Sequence, residues 1–220
     1  MGRYHFVFPP WTNMVLPAAL ILGAIAPLYV IFIVAYGFSP ITTAVGYQPT
    51  QPIPFSHDLH VGQLGMDCRY CHTTVEHSRF ASIPPTETCM GCHTQIRKES
   101  PALVPLWDSY NHGTPIEWIR VHNLPDHAYF DHAAHVNRGV SCVECHGRID
   151  RMVVVAQHAP LSMGWCLDCH RNPQPSLRDP SKVTDLAWDF DGIPDRATYQ
   201  NRLHDLNRIQ PPQDCSACHR

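Results

Sequence analysis

The chain has 220 residues and a formal net charge of −3, and its 16% of charged residues is below the roughly 25% of an average soluble chain. Without a basic balance, a nucleic-acid partner is not expected. The counts of 10 cysteines, 16 histidines and 21 prolines are unusually high. Large aliphatic residues are sparse beyond the first forty positions, so we expect bound groups to fill the interior.

The N-terminal region is predicted to cross a membrane. No Asp, Glu, Lys, Arg or His occurs from Phe6 to Ser56, and residues 13–38 within that run are almost wholly apolar. A helix of this length, at 1.5 Å per residue, is long enough for a hydrocarbon core of about 30 Å. A cleaved signal peptide is the alternative, but its apolar region usually has roughly 7–15 residues. We therefore predict one uncleaved transmembrane helix at 13–38.

The charge flanking this helix predicts its orientation. Arg3 and the N-terminal amine favour a cytoplasmic N-terminus at 1–12. A single pass through the cytoplasmic membrane then places the rest of the chain on the periplasmic side. Residues 39–56 contain several prolines and are predicted to be an extended linker. Residues 57–220 are predicted to form one periplasmic domain.

Every cysteine belongs to a C-x-x-C-H motif, and the motif occurs five times. We number the motifs in chain order, and they comprise Cys68, Cys71 and His72; Cys89, Cys92 and His93; Cys142, Cys145 and His146; Cys166, Cys169 and His170; and Cys215, Cys218 and His219. This spacing is the attachment signature of c-type haem. The two thiols form thioethers with the porphyrin, and the histidine is the proximal iron ligand.

Zinc sites and iron–sulfur clusters also use C-x-x-C pairs, and disulfides are a third alternative. None of these requires a histidine after the second cysteine, whereas all five motifs have one. We therefore predict five covalently attached haems c. Five large apolar macrocycles would also supply the interior that the side chains lack.

An internal repeat precedes two of the motifs. Phe55, His57, His60 and Val61 align with Phe130, His132, His135 and Val136, and each copy runs through a glycine into C-x-x-C-H. One residue is missing from the second copy, and each copy is followed by a further haem motif. This regular placement predicts His57, His60, His132 and His135 as four distal iron ligands. One imidazole of each pair can reach a neighbouring haem.

The fifth distal ligand is left open between two residues. His122 precedes the second repeat, and Met163 precedes the fourth motif. A methionine thioether would raise the potential of its haem. Less favoured candidates are Met152, His112, His127 and His158.

The alternation of H-x-x-H and C-x-x-C-H resembles the class III and related multihaem cytochromes. The resemblance implies a fold of mainly coil with short α-helices, beside the one N-terminal transmembrane helix. With the anchor included, the stretches 55–72 and 83–89 and the sequence Met163-Gly164-Trp165-Cys166 are similar to the pentahaem subunit of bacterial alternative complex III. That resemblance covers the chain from the anchor to His170, and 175–214 matches less well.

The resemblance implies an electron-carrier subunit rather than an enzyme. It would take electrons from a membrane complex with iron–sulfur and polytopic quinone-binding subunits and pass them to a periplasmic acceptor. One alternative is a membrane-anchored quinol dehydrogenase that feeds a periplasmic reductase. A second is a terminal reductase or haem-based sensor, which needs a five-coordinate haem. The chain has no C-x-x-C-K motif and none of the common hydrolase or phosphate-loop motifs.

Overall fold

The computed structural model describes residues 8–37 and 44–219. Residues 1–7, most of the predicted cytoplasmic N-terminus, and 38–43, the last residue of the predicted transmembrane helix and the start of the predicted linker, lie outside the described part. The chain divides between Thr43 and Ala44 into two compact units. Each unit is described by itself.

The N-terminal unit is one helix preceded by a 3₁₀ turn. The turn covers Pro10–Met14, and α1 covers Val15–Gly37 without a buried residue. The stretch Pro10–Gly37 has 28 residues, and its most apolar window of 18 residues has a mean hydropathy of 2.6. It is long and apolar enough to cross a bilayer. Pro27 lies inside the helix, as is tolerated in membrane helices.

The second unit is built from short helices joined by coil. Its helices are α2 (Cys68–Cys71), α3 (Thr86–His93), α4 (Val104–His112), α5 (His132–Val136), α6 (Cys142–His146), α7 (Met163–Arg171), α8 (Arg196–Leu206) and α9 (Cys215–Cys218). A π-helical turn covers Asp58–Gln63. In residues 8–37 and 44–219 no β-strand forms, and only two isolated bridges join extended segments. This is the fold class that the motifs predict.

Polar caps fix where the motif helices begin. Asp67, Ser141, Ser162 and Asp214 each precede a motif helix, and each side chain accepts a hydrogen bond from a backbone N–H of its first turn. Such caps stabilise a helix start by about 1 kcal/mol. Because the helices begin at or just before the first cysteine, both thiols of a motif come to lie on one helical face.

Residues 44–56, which the sequence assigns to the linker, belong to the second unit. The backbone N–H of Gly46 donates to Gln157, at 2.8 Å. The side chain of Gln51 exchanges two hydrogen bonds with the backbone of Ile119. Ile53 is only 6% exposed. This segment is therefore held by backbone pairing and by one buried aliphatic side chain.

Apolar side chains form three separate small clusters rather than one core. The clusters centre on Ile53, Met90 and Leu106; on Val75, Val136 and Val183; and on Leu177, Leu203 and Ile209. A domain of this size normally needs a contiguous core to be stable. The described side chains alone therefore do not supply such a core.

Candidate haem-binding sites

Short helices present the two thiols of each motif side by side. Residues three positions apart lie on the same face of a helix, and the histidine follows at the end of the helix or just after it. All ten cysteines lie in the described part of the chain, and none forms a disulfide. The disulfide alternative is therefore not what this structure supports, and each thiol pair is placed to attach one group.

Most of the histidines predicted to bind iron are oriented by the backbone. Seven of the ten donate Nδ1–H to a carbonyl oxygen: His60, His72, His93, His132, His135, His170 and His219. Metal-binding histidines commonly use their second nitrogen in this way, which fixes the tautomer and the ring orientation. In that tautomer Nε2 carries a free lone pair, which is the ligand atom that iron needs.

Three distal candidates face a proximal histidine across a gap that fits one metal ion. Metal–imidazole bonds are about 2.0–2.1 Å long, so two rings that share a metal through Nε2 have centroids roughly 6 Å apart. The centroid separations are 6.2 Å for His60 and His93, 6.4 Å for His132 and His146, and 6.1 Å for His135 and His170. These pairs therefore have the spacing of two axial ligands.

The two copies of the repeat share one local geometry. Phe55 lies edge-on to His57 at 4.9 Å and stacks with His60 at 4.4 Å. Phe130 makes the same two contacts with the histidines of the second copy, at 4.8 and 4.5 Å. The phenylalanine before each H-x-x-H therefore fixes both rings and directs them toward different motifs.

Burial keeps the central imidazoles neutral. Burial, together with the neighbouring His122 and His132, lowers the pKa of His146 to about 3. The pKa of His57 is lowered to about 4, first by burial and then by His72. Because a protonated ring has no free lone pair, the neutral form is the one that binds a metal. The interaction of His57 with His72 also places it beside the first motif.

The assignment of the fifth distal position to His122 or Met163 stays a prediction, and the structure gives the following surroundings for the two residues. The ring of His122 is 4.3 Å from that of His146, at 74°, which is too close for a metal ion between them. Its Nε2 is buried without a hydrogen-bond partner. Met163 begins α7, and its side chain is 64% exposed.

His127 is the residue that the structure brings to the fifth motif. Its ring centroid is 5.5 Å from that of His219, at 35°. The backbone N–H of Tyr129 donates to the carbonyl of Cys218 at 2.8 Å, and Ala128 pairs with His219 in an isolated bridge. This pairing joins segments some ninety residues apart. His127 stands outside the repeat, so no spacing in the sequence identifies it.

Some buried polar atoms in the described part have no hydrogen-bond partner: His57 Nδ1, Arg79 Nε, His122 Nε2, Gln174 Oε1 and Arg178 Nε. Leaving such an atom unpaired costs about 1–3 kcal/mol. Arg79 and Arg178 each follow a motif in the sequence, and a haem carboxylate is an acceptor that a guanidinium prefers. The thiol pairs, the tethered imidazoles and these donors together fit covalent haem at the motifs.

These features define a multihaem cytochrome c. The family model for cytochrome c7 and related cytochrome c matches residues 128–220. A curated protein, the multihaem cytochrome c subunit of menaquinone reductase from Nitratidesulfovibrio vulgaris (strain Hildenborough), is 35% identical over 201 residues, which cover 90% of this chain and 91% of that protein. The chain belongs to this family of multihaem cytochromes c.

Proposed function

We propose that this chain is a membrane-anchored cytochrome with five covalent haems c that carries electrons within a quinone-linked respiratory complex. The pairing of four of the five proximal histidines with a second histidine is the observation that most supports this role. Haem iron between two imidazoles supplies one-electron transfer and has no open coordination position. The residues therefore favour an electron carrier over a terminal reductase or a haem-based sensor.

The proposed ligand pairs are His57 with His72, His60 with His93, His132 with His146, His135 with His170 and His127 with His219. Ring spacing supports four of these pairs. The interaction between His57 and His72 and the likeness of the two repeats support the remaining pair. His127 here takes the place that the sequence leaves open between His122 and Met163.

The proposed complex is of the alternative complex III type. In it, iron–sulfur and polytopic quinone-binding subunits would accompany this chain, and electrons from membrane quinol would leave to a periplasmic acceptor. The second candidate is electron flow in the opposite direction, toward menaquinone. It is favoured by the name of the relative, a menaquinone reductase subunit. A quinol dehydrogenase that feeds a periplasmic reductase is the third candidate.

The proposed membrane arrangement follows the apolar helix. Residues 1–12 would be cytoplasmic, 13–38 would span the cytoplasmic membrane, and the remaining domain would lie on the periplasmic side, joined through 39–56. The exposed apolar surface of α1 supports a lipid environment. Protease accessibility in right-side-out spheroplasts tests this: cleavage of the haem domain by added protease supports it, and full protection contradicts it.

The first experiment counts the haems and tests their ligation. Intact mass spectrometry of the purified full-length chain should show five covalent haems. The ferric spectrum should be low-spin, and carbon monoxide should leave the ferrous spectrum unchanged, since each iron has two protein ligands. A high-spin signal with carbon monoxide binding would instead support the reductase or sensor.

The second experiment identifies the complex and the direction of electron flow. The tagged chain is purified from native membranes in mild detergent, and bound subunits are identified by mass spectrometry. An iron–sulfur subunit with polytopic partners supports the proposal, whereas the chain alone or with a periplasmic reductase supports the quinol dehydrogenase. Menaquinol added to the isolated complex should reduce the haems. If haems reduced from the periplasmic side are instead oxidised by menaquinone, the second candidate is correct.

The third experiment tests the assignment of His127. In His127→Met one haem should gain a thioether ligand, so one of the five midpoint potentials should rise. His112→Met is a matched control, because His112 hydrogen bonds within its own helix and should leave all five potentials unchanged. A rise in His122→Met without one in His127→Met would contradict the assignment.

A further inference from the structure

Each H-x-x-H segment connects two motifs. In the first copy, the ring of His60 lies 6.2 Å from that of His93 of the second motif, while the carbonyl of His60 accepts from the backbone N–H of Met66 at 3.0 Å, two residues before the first motif begins. In the second copy, the rings of His132 and His135 face the third and fourth motifs respectively. Because each copy reaches two motifs within a few residues, the first motif must neighbour the second, and the third must neighbour the fourth.

The first and third motifs also touch. Hydrogen bonds from one segment, Val183 and Thr184, join the start of both motif helices. The hydroxyl of Thr184 donates to Asp67, the cap of α2, while the carbonyl of Val183 accepts from the backbone N–H of Cys142. One short segment therefore contacts the start of both motif helices.

The loop after the first motif holds the second repeat as well. The carbonyl of Arg79 accepts hydrogen bonds from the ring Nδ1 and the backbone N–H of His132, at 2.8 and 3.3 Å. The carbonyl of Ser78 accepts from Ala133, and that of Glu76 accepts from the Asn137 side chain. In the part of the chain that the structure describes, these contacts join the second repeat to the loop that follows the first motif.

The fourth and fifth motifs are joined by the segment before α9. Pro212 accepts a hydrogen bond from His170 Nδ1 at 2.7 Å, and the side chain of Gln213 donates to the His170 carbonyl at 3.5 Å. The Cys166 thiol is also near enough to Cys218 for that thiol to raise its pKa, after the larger effect of burial.

We infer that the five motifs form one unbranched row in the order second, first, third, fourth, fifth. The order differs from the order in the sequence at one place, because the first motif and not the second meets the third. Accessibility agrees with the two ends of this row. Of the ten cysteines, only Cys92 of the second motif and Cys215 of the fifth are exposed.

Only the consequence of this order for electron transfer rests on the proposed function. If the chain carries electrons, the second and fifth motifs are the places where a donor and an acceptor come closest. The order itself is a property of this chain alone. It can therefore be tested on the purified full-length protein without any partner subunit.

The test changes one distal ligand and counts the haems that respond. Methionine in place of a distal histidine raises the potential of its own haem. Neighbouring haems interact through their charges, so the order in which they titrate changes, whereas distant haems are screened. NMR-monitored redox titration resolves the separate haems. In His57→Met, at the first motif, the titration curves of two other haems should shift. In His60→Met, at the second motif, the titration curve of only one other haem should shift.

These two variants control for each other, because both residues lie on one turn of the same repeat. A row in sequence order predicts the reverse result, with one shift for His57→Met and two for His60→Met, and would overturn the inference. Finding no shifts at all would also overturn it, since neighbouring motifs would then be too far apart to interact. His127→Met, at the fifth motif, should shift the titration curve of one other haem.

If the variants hold fewer than five haems by mass, the same count is made on the wild-type protein. In its stepwise NMR titration, each haem at an end of the row should interact with one other haem. A failed haem count or a missing partner complex would reject the proposed function separately.

Discussion

The first copy of the repeat is one residue longer than the second, and a different type of helical turn accommodates the extra residue. The first copy contains the π-helical turn Asp58–Gln63, whereas the second contains the α-helix His132–Val136. In both copies a backbone N–H after the glycine donates to the carbonyl of the second histidine, from Met66 in one and Val140 in the other. A π turn accommodates one extra residue. The chemistry of the repeat is therefore kept while its backbone changes.

The surroundings of the two copies differ more than their backbones. His132 is tethered to the loop after the first motif, whereas the Nδ1 of His57 has no hydrogen-bond partner. Gly139 of the second copy lies against the backbone of Arg178, but the equivalent Gly65 faces open space. The second copy serves the third and fourth motifs, which lie inside the proposed row of motifs. The first copy serves the first motif and the second motif, and the second motif lies at one end of that row. We therefore expect equivalent substitutions in the two copies to lower the stability by different amounts.

The largest expected effect comes from removing one haem from each copy at equivalent motifs. Replacing both cysteines of the fourth motif by alanine (Cys166→Ala with Cys169→Ala) should remove one haem and lower the thermal midpoint strongly, because that motif has neighbours on both sides. Replacing Cys89 and Cys92 in the second motif should remove one haem with a smaller fall, because it has one neighbour. Mass spectrometry counts the haems, and circular dichroism follows unfolding.

Unfolding of a protein with several cofactors is not a simple two-state reaction, so only the midpoints are compared. A matched control replaces Cys215 and Cys218 at the opposite end, and it should behave like the second motif. Equal midpoints for the fourth and second motifs would show that the two copies are equivalent after all.

The glycines offer a smaller and more local contrast. Gly65 and Gly139 have positive φ angles of 69° and 87°, a conformation that costs a residue with a side chain about 1–2 kcal/mol. For Gly65→Ala we expect only this loss of stability. For Gly139→Ala we expect about 3 kcal/mol or more, because the new methyl group also meets the Arg178 carbonyl.

The denaturant midpoints of the two alanine variants, each with its full haem content, are compared with that of the wild type, and Gly139→Ala should show the larger fall. Asparagine at position 65 is the control for backbone strain, since it tolerates a positive φ better than alanine. If Gly65→Ala destabilises the protein as much as Gly139→Ala, the close packing against Arg178 is not what distinguishes the copies.

The sequence predicts the elements that obey a spacing. The five motifs, the apolar helix and the H-x-x-H pairs are all local patterns, and the fold class follows from them. His127 could not be found in this way, because it meets His219 only through backbone pairing between distant segments. The same holds for the hydrogen bonds between the Arg79 carbonyl and His132, which no repeat encodes.

The segment 44–56 shows a second limit of reading a sequence. Its prolines predict an extended chain, and the chain is indeed not helical there. Composition does not reveal that Ile53 enters a cluster with Met90 and Leu106, or that Gln51 pairs with Ile119. An extended segment can equally be a free linker or be packed along a domain, and only long-range contacts decide between these.

The smallest expected effects are at the caps that begin the two histidine turns. Ser56 Oγ accepts from the Leu59 N–H, and Asp131 Oδ1 accepts from the Ala134 N–H, each at 3.2 Å. Removing either side chain, in Ser56→Ala or Asp131→Ala, should cost about 1 kcal/mol of stability. The fall in the denaturant midpoint reports the loss. Asp131→Asn keeps a capping oxygen and should lose much less.

The caps also separate stability from haem ligation, because the two depend on different atoms of the same residue. The carbonyls of Ser56 and Asp131 accept from Nδ1 of His60 and His135, at 2.9 and 2.7 Å, and alanine retains that carbonyl. Both alanine variants should therefore keep their low-spin spectra and all midpoint potentials. A shifted potential in one variant only would mean that the side-chain cap, and not the backbone tether, holds that ring, and that the two copies orient their histidines by different means.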